Sequence, residues 1–120
     1  MAYATTVVAL GEEAETFLAE DMAITFSGEA PEGLRPYCFL IAPAELDGSL
    51  AAGQEVLIGE QIWTITAIGE VAEKNLASLG HVTLVFDGGP EPRMPGAIHL
   101  GGLDEKPALT LGASLIFACA

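Results

Sequence analysis

Short apolar bursts separated by glycine and proline set the pattern of this chain. The clearest unit is residues 69–88, GEVAEKNLASLGHVTLVFDG. Ala72, Leu76 and Leu79 fall at i, i+4 and i+7, the spacing of one helical face. Glu70 and Glu73 stand in the first turn, where acids favour the helix dipole, and Glu70–Lys74 has the order of a helix ion pair. Gly80 can take the left-handed conformation that ends a helix. Beyond it, His81, Thr83, Val85 and Asp87 alternate with Val82, Leu84 and Phe86, the two-residue period of a half-buried strand. The unit therefore predicts a helix over 70–79, a glycine stop and a strand over 81–87, with His81 at the joint.

The rest of the chain reads as strands and turns. Residues 3–10, YATTVVAL, are rich in β-branched side chains and predict a first strand that Gly11 breaks. Residues 12–20 allow a helical turn or two with Phe17 and Leu18 turned inward. In the strand expected over 22–27, Met22, Ile24 and Phe26 share one face and Ala23 and Thr25 the other. The glycines and prolines of 28–36 make a loop. Residues 37–42, YCFLIA, form a continuous apolar run, expected as a strand buried on both faces and ended by Pro43. A turn is expected at Asp47–Gly48. Strands over 55–59 and 61–69 form a hairpin about Gly59–Glu60, with Trp63, Ile65 and Ala67 on one face and Ile62, Thr64, Thr66 and Ile68 on the other. After the proline-rich loop 88–96 come strands over 97–101, which carries His99, and over 113–120.

Short strands with turn signals every ~8–12 residues place the chain in the all-β class, as a closed or nearly closed sheet of about 7–8 strands with one short helix near 70–79. No internal repeat stands out, and no linker divides the 120 residues, so a single domain spanning 1–120 is expected.

Charge narrows the partners. Four Lys and Arg against 17 Asp and Glu give a formal net charge of −13. A field of that sign repels nucleic-acid phosphates and anionic headgroups and attracts a basic protein surface. No apolar run approaches the ~20 residues of a membrane span, and the N-terminus lacks the basic region of a secretory signal, so direct membrane insertion is not expected and a cytoplasmic location is. Cys38 and Cys119 make no disulfide framework, and Cys38 reads as a small buried hydrophobe. An unbroken apolar strand leaves a homo-oligomer open, by pairing at an edge.

Candidate chemistry is sparse. Phosphate-binding glycine loops, nucleophile elbows and zinc-binding patterns are all missing from the sequence. Histidine can act as base, ligand or phosphoryl acceptor, so His81 and His99 are the candidate catalytic residues. The plainer expectation for His81 is a hydrogen bond to the free carbonyls of the preceding helix. Both histidines with Asp87 or Glu45 could bind a metal, but their spacing does not support it. No cofactor is expected.

Three stretches carry a resemblance. ITFSGEAPEGLRPYCF (24–39), VAEKNLASLGHVTLVFDG (71–88) and PGAIHL (95–100) resemble, in order and spacing, the enzyme IIA component of the glucitol/sorbitol-specific phosphotransferase system. The resemblance covers nearly the whole chain. It implies a compact, buckled β-barrel and a phosphoryl carrier in sugar-alcohol uptake. In such a system phosphate passes from phosphoenolpyruvate through enzyme I and the histidine carrier protein to a IIA histidine, and then to the IIB/IIC permease. Members of the family read YCFIHCHGEL where this chain reads YCFLIAPAEL, so the resemblance puts the acceptor histidine at Ile41 and a second histidine at Pro43. Neither side chain here can take phosphate. Ile41 favours a strand and burial, and Pro43 fixes φ and lacks an N–H.

Three readings follow: a IIA-like domain that binds or regulates a partner without transferring phosphate; a working carrier that uses His81, or failing that His99; and a small-molecule binding barrel sharing only the fold. A phosphate site would need a cation nearby, from among Arg35, Lys74, Arg93 and Lys106. Arg35 is nearest in sequence to Ile41, and Lys74 to His81.

Overall fold

Eight strands close into one barrel in the order β1–β3–β2–β6–β7–β5–β4–β8, with β8 returning to β1. The computed structural model describes residues 2–28 and 30–118. The strands are β1 (Ala2–Leu10), β2 (Met22–Ser27), β3 (Cys38–Ile41), β4 (Glu55–Ile58), β5 (Gln61–Ile68), β6 (Val82–Val85), β7 (Ala97–Gly101) and β8 (Ser114–Ala118). Two short helices, α1 (Ala14–Leu18) and α2 (Ala72–Leu79), and a 3-10 turn at Arg35–Tyr37 complete the chain. Closure removes the unpaired edges that an open sheet this size would expose. Only β2–β3 and β6–β7 are parallel neighbours. Each needs a long crossover connection, which explains the two proline-rich loops between 28 and 37 and between 86 and 96.

The interior is filled by the alternate residues of each strand. Trp63, Ile65 and Ala67 are the buried residues of β5, as the two-residue period predicts, and Trp63 and Ile65 share one core with Tyr3, Phe39, Ile58, Leu84, Leu100 and Phe117. An eight-stranded barrel is just wide enough for side chains to fill. In β2 the small residues Ala23 and Thr25 take the inward places. Ile24 and Phe26 turn outward and join Cys38, Leu40, Ala30 and Leu34 in a second apolar cluster beneath the 28–37 loop. That outer cluster is why all four residues of β3 are buried.

The helix expected over 70–79 begins at Ala72 and does end at Gly80, whose φ of 61° is left-handed. Ala72 and Leu76 pack inward, but Leu79 is exposed, because the turn at Gly80 lifts the last helical residue off the barrel. Glu70 lies outside the helix, so the Glu70–Lys74 pair does not form; Glu73 instead accepts the backbone N–H of Leu50 at 2.6 Å. Tyr37 belongs to the 3-10 turn, and its strand starts one residue later.

The barrel is also a duplicated unit, against the expectation of no repeat. The order β1–α1–β2–β3–β4 recurs as β5–α2–β6–β7–β8, and exchanging the two halves returns the same barrel. The details recur as well. β1 is bulged between Val7 and Ala9 against β3, and β5 between Ile65 and Ala67 against β7. Gly11 donates to the Cys38 carbonyl at 2.8 Å, and Gly69 to that of Ala97 at 2.7 Å. Helix α1 is followed by left-handed Asp21 (φ 63°), as α2 is by Gly80. The sequence trace is GEEAETFLA at 11–19 against GEVAEKNLA at 69–77, with the Pro-Glu pairs at 31–32 and 90–91 and the prolines Pro36 and Pro95. Elsewhere the halves share only polarity, which many sequences satisfy.

Candidate functional site

Three positions bear on phosphoryl chemistry: the candidates His81 and His99, and Ile41, where the resemblance puts the family's acceptor. The fold places them in three different environments.

Ile41 ends β3, wholly buried in the barrel core. It stands opposite Val7 of β1 and Ser27 of β2. Next to it, the Ala42 N–H donates to the Thr6 carbonyl at 3.0 Å, and Thr5 Oγ1–H donates to the Ala42 carbonyl at 2.6 Å. Pro43 beyond is exposed and stops the pairing, since it has no N–H to offer. This segment supplies packing and backbone hydrogen bonds, with no side chain able to accept phosphate.

His81 lies between α2 and β6, half-buried, its ring tilted against Phe26 at 5.0 Å. Its Nδ1 is 3.1 Å from the Thr25 carbonyl of β2. A carbonyl only accepts, so Nδ1 carries the proton and the neutral ring keeps its lone pair on Nε2. The imidazole thus does not serve the helix carbonyls, as its position in sequence suggested. Those are met by β2 hydroxyls: Thr25 Oγ1 donates to the Gly80 carbonyl and Ser27 Oγ to that of Leu79, each at 2.8 Å. Sequence reading missed this because the donors lie more than fifty residues away.

His99, at the centre of β7, is only 2% exposed. Its Nδ1–H donates to Asp87 Oδ1 at 2.7 Å, and its Nε2 accepts the backbone N–H of Arg93 at 2.9 Å. Both ring nitrogens are therefore engaged, in the pattern of a neutral imidazole. Asp87 also accepts the Gly89 N–H at 2.8 Å and pairs through Oδ2 with Arg93 Nη2 at 3.2 Å. The network clamps the 86–96 crossover onto β7. It brings His99, Asp87 and Arg93 together, and leaves His81 elsewhere against Phe26.

Burial works to raise the Asp87 pKa. The hydrogen bonds from His99 and Gly89 and the nearby Arg93 guanidinium outweigh it and hold the carboxyl below the ordinary aspartate range. A depressed carboxyl contributes stability that is present above its unfolded value and lost as pH falls through the native one. Acid unfolding should therefore loosen this loop first. In Asp87→Asn, the part of the acid transition lying below the ordinary aspartate range should flatten; an unchanged profile by circular dichroism would show the clamp to be inert.

The fold has a counterpart among solved structures. The crystal structure of the PTS system IIA component from Enterococcus faecalis V583 aligns over 93% of this chain and 96% of its own, with a TM-score of 0.77 and 26% identity. Two curated relatives, the PTS system glucitol/sorbitol-specific EIIA components of Shigella flexneri and Escherichia coli (strain K12), are each 44% identical over 100 residues, spanning 83% of this chain and 81% of theirs. The profile of the PTS system glucitol/sorbitol-specific IIA component family matches residues 2–116. The chain belongs to that family. As a glucitol/sorbitol-type IIA component it works with other proteins of the phosphotransferase system in sugar transport. Among its described residues, no helix is long and apolar enough to cross a membrane.

Proposed function

We propose that this glucitol/sorbitol-type IIA component acts as one cytoplasmic domain over residues 1–120 and docks on the histidine carrier protein or the IIB/IIC permease without relaying phosphate through the usual position. The observation that carries this is Ile41. It stands where the family resemblance puts the acceptor, and it is an aliphatic side chain buried in the barrel core. Phosphoryl transfer needs an in-line nucleophile with a free lone pair and a local positive potential. Isoleucine offers neither, and proline at 43 removes the second nitrogen. Such a domain would occupy a partner as a regulator does. A small-molecule barrel is the weaker reading, because large side chains fill the interior.

A second reading rests on one observation. With Nδ1 of His81 held by Thr25, Nε2 keeps its lone pair on a half-buried ring, which is the form of a competent nucleophile. His99 is poorly suited, since Nε2 already accepts an N–H and the ring is enclosed.

Incubation with phosphoenolpyruvate, enzyme I and the histidine carrier protein separates the two. The expected result is no label on this chain while a histidine-bearing family member is labelled in the same tube. An acid-labile, base-stable adduct that disappears in His81→Ala would replace the first reading with the second.

A further inference from the structure

The two halves of the barrel act as controls for one another. Where the repeat needs a residue, the halves agree: Gly11 and Gly69, Ala14 and Ala72, Leu18 and Leu76, Pro36 and Pro95. Among the positions where they differ, one adjoining pair lies at the surface. Phe17 on α1 and Tyr37 on the 3-10 turn correspond to Asn75 on α2 and Gly96 before β7. The two positions adjoin in both halves. The rings of Phe17 and Tyr37 stack with centroids 5.1 Å apart and planes inclined by 19°. The Asn75 amide nitrogen lies 3.9 Å from where a Cβ on Gly96 would stand. The second half therefore closes without aromatic rings, so the stacked pair is not required by the fold.

This pair sits at the surface. Tyr37 is 36% exposed and Phe17 half-buried. A shallow cavity of about 240 Å³ beside them is lined by Phe17, Glu20 and Met22. Acids flank Phe17 along the chain. Glu13 lies one turn before Phe17, its carbonyl accepting the Phe17 N–H at 3.3 Å, and Glu20 and Asp21 lie one turn after; all three are exposed. Arg35 is the one cation on the adjoining 3-10 turn.

We infer that Phe17, Tyr37 and Met22 form a docking surface for a protein partner that presents an apolar protrusion flanked by lysine and arginine. Aromatic side chains held rigid by stacking are the usual anchors of interfaces, and flanking charges of one sign select and steer the opposite sign. A second copy of this chain would bring acids against acids, and an anionic membrane would be repelled. The inference rests on the reading that the chain docks on other phosphotransferase proteins.

The test is a titration of the isotope-labelled chain with the histidine carrier protein and with the isolated IIB domain, followed by amide NMR. For whichever binds, shifts should centre on residues 17, 20–22 and 37. Phe17→Asn and Tyr37→Gly, each the residue the other half uses, should keep the parent melting temperature within a few degrees and weaken binding more than about tenfold. Glu20→Lys should weaken binding and flatten its salt dependence. Binding that maps elsewhere, or that survives both substitutions, overturns the inference and leaves the docking reading standing. Binding by neither protein overturns both.

Discussion

Gly69→Ala is expected to destabilise the barrel by ~3 kcal/mol or more, the range of severe overpacking, with a matching fall in denaturation midpoint. A methyl group at this position would overlap the backbone carbonyl oxygens of Pro95 and Met94. These are main-chain atoms, so no rotamer change can relieve the clash. The Gly69 N–H also donates to the Ala97 carbonyl at 2.7 Å, and the Val71 N–H to that of Pro95 at 3.0 Å, so moving the backbone apart breaks the joint between β5 and the 86–96 crossover. Gly11 occupies the same place in the other half, against the carbonyls of Pro36 and Arg35. Gly11→Ala should cost a similar amount. A large loss at one glycine and none at the other would show that the halves are not mechanically equivalent. By contrast Gly33→Ala, with nothing near its added methyl, should be close to neutral in the same urea titration.

His99→Ala should lose ~2–4 kcal/mol, from the cavity left by a buried ring and from the hydrogen-bond partners it abandons. The Arg93 N–H loses its acceptor, and Asp87 loses its shortest donor. His99→Leu separates the two effects. Leucine is the residue at the corresponding place in the first half, Leu40, so the space should be filled and part of the loss recovered. The hydrogen bonds would still be missing, and the Arg93 amide should exchange quickly in both variants. If His99→Leu matched the parent in both stability and exchange, the clamp would be a packing contact only.

How much of this was legible beforehand depended on the range of the interaction. The eight strands follow from alternation, from β-branched or unbroken apolar runs and from where glycine and proline fall, because each of these is a local property of the chain. The stop at Gly80 was legible for the same reason. The histidines show the limit. His81 sits at a helix end in sequence, yet its ring bonds to Thr25 across the sheet. His99 looked unremarkable in a short strand, yet it holds the one buried imidazole network among the described residues. The inward face of β2 was open from the pattern, and Ala23 and Thr25 took it because the 28–37 loop covers the larger side chains on the other side.

The sequence by itself determined the strand content, the family and the replacement of a ring nitrogen by an aliphatic branch at position 41, since each is written in adjacent residues. Tertiary structure decided the rest. Barrel closure put Ile41 in the core, gave His99 both of its partners, showed the chain to be two copies of one unit, and left a stacked aromatic pair at the surface of one copy alone. Those outcomes depend on contacts between residues far apart in the chain, and a contact of that kind exists only once the backbone has closed on itself.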